Sequence, residues 1–106
     1  MFKPPRRVKL FGTYYTVRLV KNNIPDPLAI PGTTGLCCKE DKIIWIKDEG
    51  AHRNLDTYNH ECFHAIIGEA HADQIITGKQ EEYLANLCGR GYTEVFQSIL
   101  GRVRLK

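Results

Sequence analysis

The stretch DTYNHECFHAIIGEA, Asp56 to Ala70, holds two histidines four residues apart, His60 and His64, with Glu61 directly after the first. On a helix, residues i and i+4 stand one turn apart on the same face, so both imidazoles can reach a single divalent ion. Zinc is the expected ion, since Zn–N bonds of about 2.0–2.1 Å need that convergence. Glu61 is offset by one residue and so lies beside the ion, where it can take a proton from a water held there. The chemistry this predicts is hydrolysis, with His60 and His64 as metal ligands and Glu61 as general base. At average residue frequencies a chain of 106 residues meets HExxH by chance on the order of a few times in a thousand.

A hydrolytic zinc needs a third protein ligand and one open position. Three residues downstream qualify by type. His71 ends the text HECFHAIIGEAH; on a continued helix it would lie about 10 Å beyond His64 along the axis, too far to share an ion. Its expected role is a cation at the helix C-terminus. Glu81 and Glu82 open the next helical segment. Amphipathicity favours Glu81, which is nearer the apolar side formed by Tyr83, Leu84, Leu87 and Cys88. Small residues favour Glu82, which shares a face with Ala85, Asn86 and Gly89 and leaves room for a close helix approach. The residues alone leave that choice open.

The elements that must carry these side chains can be read from periodicity. Tyr14 to Val20 is rich in β-branched and aromatic residues and predicts a strand. KNNIPDPLAIPGTTG, with three prolines and two glycines, predicts a loop. LCCKEDKIIWI reads as two short strands around a polar turn at Lys39 to Lys42, with Ile43 to Ile46 apolar enough for a buried strand. The motif helix is expected to start near Asn54 to Asp56, either of which could cap it, and to run to about Ala70. Its apolar stripe is Leu55, Tyr58, Cys62, Phe63, Ile66, Ile67 and Ala70, which leaves His60, Glu61 and His64 on another side. A second helix follows over Lys79 to Cys88, interrupted by Gly89-Arg90-Gly91, and YTEVFQSIL predicts a last one. Strands first and helices after mean a single α+β domain over residues 1–106.

HECFH followed by EEYLANLCG resembles the gluzincin arrangement, with HExxH on one helix and a glutamate ligand on the next. In thermolysin-like enzymes an aspartate four residues after that glutamate orients a zinc-bound histidine, and a small residue precedes it. Glu82-Tyr83-Leu84-Ala85-Asn86 has that spacing with Asn for Asp, and is similar to the E-x-x-A-N segment of the ImmA/IrrE metallopeptidases. The resemblance implies Glu82 as third ligand and Asn86 as the residue orienting a histidine, through a weaker, neutral hydrogen bond. YYTVRLV and GLCCKEDKIIWI ahead of the motif helix look like the core of small ImmA/IrrE-like and phage-encoded zincins, so the resemblance covers Tyr14 to Gly89. It implies a minimal zincin-like fold: a mostly antiparallel sheet of about three strands with two or three helices packed on one face. It also implies that a peptide substrate lies extended along an edge strand, taken here as KIIWIK, with Trp45 as a core anchor or part of the cleft. Nothing here matches the DNA-binding domain of larger family members, so repressor cleavage does not carry over.

Tyr58, Tyr92, His52 and His71 are candidates by residue type to stabilise a developing oxyanion. No apolar run is long enough to span a membrane, and MFKPPRRVKL lacks the apolar segment of a secretory signal, so the expected location is the cytoplasm. Cys37, Cys38, Cys62 and Cys88 form no CxxC pair and are expected to be reduced thiols. The net charge of +3 is concentrated in KPPRRVK and GRVRLK. Three functions compete: a zinc-dependent peptidase acting on a protein or peptide; a non-catalytic protein-binding module on a zincin scaffold, such as a phage-type inhibitor; and a DNA-associated protease of the SprT kind, with its basic ends on phosphates. The nucleic-acid reading ranks last, because no aromatic residues interleave the basic runs.

Overall fold

In TYYTVRLV the buried positions alternate: Tyr15 and Val17 are buried, while Tyr14, Thr16 and Arg18 are exposed. That period of two is a half-covered strand, and it recurs in RVKL and IIWIK. The computed structural model describes the backbone over residues 2–104, with side chains over residues 2–92 and at Glu94. Four strands form one sheet: β1 (Arg7–Leu10), β2 (Thr13–Val20), β3 (Gly35–Cys38) and β4 (Ile43–Lys47), in the order β1-β2-β4-β3. β1 pairs antiparallel with β2, and β3 antiparallel with β4, whereas β2 and β4 run parallel. The chain is therefore α+β, with a mixed four-stranded sheet in place of the expected mostly antiparallel sheet of about three strands.

Two departures matter for the site. β1 was hidden in the basic N-terminal segment. Its turn into β2 is Phe11-Gly12, with φ of 50° and 82°, a two-residue left-handed turn of the kind that suits hairpin twist. Phenylalanine seldom adopts that conformation, so the turn leaves little trace in the sequence. The second departure concerns KIIWIK, which is central. It has a neighbour strand on each side; Ile44 and Ile46 are buried in the core, while Ile43 and Trp45 point to the other face and are half-buried. The edge strands are β1 and β3, and β3 is the edge beside the motif residues of the following helix.

Helix α1 (Ala51–Glu69) covers one face of the sheet, and Cys62 and Ala65 pack with Tyr15, Val17, Ile44 and Ile46 to form the core. It starts a turn earlier than expected, after Gly50 (φ 99°), with no side-chain cap. Asn54 instead ties the preceding loop to the helix: its amide nitrogen donates to Asp48 Oδ1 (2.9 Å), and its oxygen accepts from the Glu49 backbone N–H (2.9 Å). At the other end Glu69 accepts from Thr13 Oγ1 (2.8 Å), Tyr15 OH (2.6 Å) and Lys42 Nζ (2.7 Å). Those donors hold its carboxyl at about 2, well under the usual range, and pin α1 to β2 and the β3–β4 turn. His71, in the left-handed region at φ 57°, ends the helical path. A 3₁₀ turn at Ala72–Gln74 leads to α2 (Gly78–Arg104).

α2 is continuous through Gly89-Arg90-Gly91, where a break was expected, and it packs on α1 more than on the sheet. The arrangement is sheet, then α1, then α2, and not several helices side by side on one sheet face. No helix among the described residues is long and apolar enough to cross a membrane. The side chains of the C-terminal GRVRLK lie outside the described residues.

Candidate metal centre

α1 carries His60, Glu61 and His64 on the side that meets α2 and β3. The two imidazole rings are 4.8 Å apart, edge to face, with their Nε2 atoms 3.1 Å from each other. α2 delivers Glu82 to the same point: Oε1 lies 3.2 Å from His60 Nε2 and Oε2 lies 3.0 Å from His64 Nε2. Ligand atoms of His60, Glu61 and His64 lie within 4.8 Å of one another. Two ligands at tetrahedral angle on one zinc stand roughly 3.3 Å apart. The observed spacings are close to that value, and the donor set of two imidazoles and one carboxylate suits a borderline divalent cation.

Helix α2 comes this close because of its small residues. Ala85 is fully buried, and a Cβ placed on Gly89 would stand 2.9 Å from the Asp56 carbonyl oxygen and 3.2 Å from His60 Cβ. Gly89 thus serves helix packing and does not break the helix. The expected apolar side of α2 is mostly turned outwards: Tyr83 is 67% exposed and Leu87 59%. Fewer of the apolar positions expected on α1 are deeply buried as well, since Phe63, Ile66 and Ile67 are only half-buried.

Behind the convergence lies a second layer of partners. Glu81 does not reach the Nε2 pair; it meets His64 Nδ1. A carboxylate there makes Nδ1 the protonated nitrogen, which leaves the His64 Nε2 lone pair aimed at Glu82 and His60. Lys39 Nζ lies 3.5 Å from the same Glu81 oxygen. It gets there across Gly68, where a Cβ would stand 2.9 Å from Lys39 Cδ. Burial raises the Glu81 carboxyl, but the His64 hydrogen bond and the Lys39 charge outweigh it and hold Glu81 below its ordinary value. Asn86 lies within hydrogen-bonding reach of His60. Burial, aided by the neighbouring His64, pushes His60 down against the pull of Glu82 and so favours the neutral, ligating imidazole.

Glu61 is buried between α1 and the edge strand β3. Its Oε2 is 3.8 Å from His60 Nε2, and a Cβ on Gly35 would stand 2.8 Å from the same oxygen. Burial first, then the Glu82 charge, raises its carboxyl to about 8; a cation among the ligands would draw it back down. Cys37 lies near it with its thiol pushed up to about 12, chiefly by burial, and all four cysteines are free.

These groups line a cleft of about 890 Å³, walled by β3 with the loop before it on one side and by the start of α2 on the other. Tyr58, Tyr92, His52 and His71, the candidates by type for oxyanion stabilisation, are absent from its lining. Tyr58 packs against the core and Phe2. Two cations that residue type had not singled out, Lys39 and Arg90, do line the cleft. Arg90 had a signal in the sequence: Glu82, Asn86 and Arg90 recur every four residues along one face of α2. Comparison of the chain with protein-family models, with curated proteins and with solved structures finds no match.

Proposed function

We propose that the chain is a small zinc-dependent peptidase on a zincin-like scaffold of the gluzincin kind, cutting a peptide bond in a protein or peptide. The observation that carries this reading is the meeting of His60, His64 and Glu82 at one point, with buried Glu61 beside it. Left without a cation, that point would set the His64 Nε2 lone pair against a carboxylate, so the arrangement asks for positive charge. His60, His64 and Glu82 would hold the zinc, which supplies a Lewis acid to a carbonyl and acidifies a water. Glu61 takes that water's proton and passes it to the leaving amine. Asn86 and Glu81 keep the two rings in their ligating orientation, and Arg90 supplies positive charge towards the developing oxyanion. An extended substrate would pair with the free edge of β3, which borders the cleft and carries Gly35 next to Glu61.

Metal analysis of protein purified without chelator or affinity tag tests the centre. About one zinc per chain is expected, lost in the His60→Ala/His64→Ala double variant; protein that carries no stoichiometric metal and gains no thermal stability on zinc addition refutes it. Glu61→Gln then separates enzyme from scaffold. It should keep zinc and abolish peptide cleavage, whereas a non-catalytic binding module would keep its effect.

A further inference from the structure

The sheet has a second face, turned away from α1. Strand alternation puts Lys9 opposite Tyr14, Arg7 opposite Thr16 and Arg18 opposite Trp45 on that face. Tyr14 is 51% exposed. The Arg7 guanidinium lies 4.2 Å from the centre of its ring, and Lys9 Nζ lies 5.6 Å from it; the Arg18 guanidinium lies 5.9 Å from the centre of the Trp45 ring. Beside Arg18 and Trp45 runs a groove of about 730 Å³ whose rim includes Lys3 and Arg6, and none of its lining residues is acidic. Asp26, within hydrogen-bonding reach of Trp45, has its carboxylate engaged by the Leu28 N–H and Cys38 Sγ.

We propose that this face binds single-stranded nucleic acid, with bases stacking on Tyr14 and Trp45 while the flanking cations hold the phosphates. A purely acidic partner would need the cations alone. Rings standing among cations on a rigid pleat suit a ligand that alternates flat bases with phosphates. Stacking of a base on an aromatic ring exceeds an exposed cation–π contact, so the cations over the rings yield to bases and move to the backbone. A duplex keeps its bases stacked on one another and cannot use the platform. In the linear sequence the basic run and the aromatic residues stand apart; the β1–β2 hairpin and the β2–β4 pairing bring them together. The surface lies across the sheet from His60 and Glu82, so the proposal is independent of the metal reading.

Trp45 is the only tryptophan in the chain, so its fluorescence reports on the face directly. Titration with an oligothymidylate at low salt should quench it saturably. The affinity should fall with salt at a log–log slope of about −3.5, from ~0.7 per phosphate and about five cations. Tyr14→Ala and Arg18→Ala should each weaken binding roughly tenfold or more, while Lys79→Ala, at the start of α2, should match the parent. An absence of saturable quenching overturns the proposal. So does equal affinity for a duplex of the same length, or Tyr14→Ala and Arg18→Ala proteins that remain folded by circular dichroism and bind as the parent does.

Discussion

A matched pair of glycine substitutions on α2 tests whether close helix approach builds the centre. In a helix interior, Gly→Ala ordinarily stabilises by about 0.5–1 kcal/mol. A Cβ on Gly91 meets nothing within 4 Å, so Gly91→Ala should show that gain. For a domain of this size the melting temperature should rise by roughly 2–8 °C. At Gly89 the same methyl would stand 2.9 Å from a backbone oxygen and 3.2 Å from His60 Cβ. Carbon contacts settle at about 3.5–4.0 Å, so α2 must retreat by roughly half an ångström. Overpacking of that kind costs about 1–3 kcal/mol, and the propensity gain offsets only part of it. Gly89→Ala should therefore melt below the parent, with the two variants about 1–3 kcal/mol apart.

The same retreat carries Glu82 with it, because Glu82 lies seven residues, or two turns, before Gly89 on one face. A displacement of about 0.5 Å matches the tolerance of a metal site. Zinc affinity, measured by competition against a chromophoric chelator, should fall about 10–100-fold in Gly89→Ala and stay unchanged in Gly91→Ala. A domain with about 5–15 kcal/mol of total stability stays folded through this change. If Gly89→Ala were as stable as Gly91→Ala and bound zinc as tightly as the parent, Gly89 would not set the helix spacing and the reasoning would fail.

Two further substitutions probe the other walls of the site. Gly35→Ala puts a methyl 2.5 Å from Thr57 Cγ2 and 2.8 Å from Glu61 Oε2; it should displace Glu61 and cut peptidase turnover by roughly a hundredfold while zinc stays near one per chain, and unimpaired turnover would contradict the role given to Glu61. Glu69, held at about 2 by Lys42, Tyr15 and Thr13, contributes stability that is fully present above its unfolded value of about 4.3 and disappears as pH falls through 2. Urea unfolding should find Glu69→Gln less stable than the parent at neutral pH, with the two curves converging towards pH 2; a constant gap over that range would show that this carboxylate does not anchor α1.

The sequence made different parts of the molecule legible for different reasons. Spacing within α1 suffices to put His60 and His64 on one face, because a single helix fixes that geometry. The turn at Lys39–Lys42 was equally plain, since charge separates two apolar runs. Phe11-Gly12 was not, because the turn residue there is one that rarely takes positive φ. The orientation of α2 is the most instructive case. Its large apolar residues suggested that Tyr83 and Leu87 face inwards, yet both are exposed, while Ala85 and Gly89 meet α1. A hydrophobic stripe indicates which side of a helix gains by burial in general; it does not say how close the partner must come. Here the distance between helices is limited by the reach of Glu82 to two imidazoles, and only small side chains permit it. Once α2 is turned to bring Glu82 to the two imidazoles, Glu81 is carried to His64 Nδ1 and Lys39 has a charge to meet across Gly68. The choice between two adjacent glutamates was thus a question about glycine and alanine, and both glutamates are used, one facing the Nε2 atoms and the other the ring nitrogen behind.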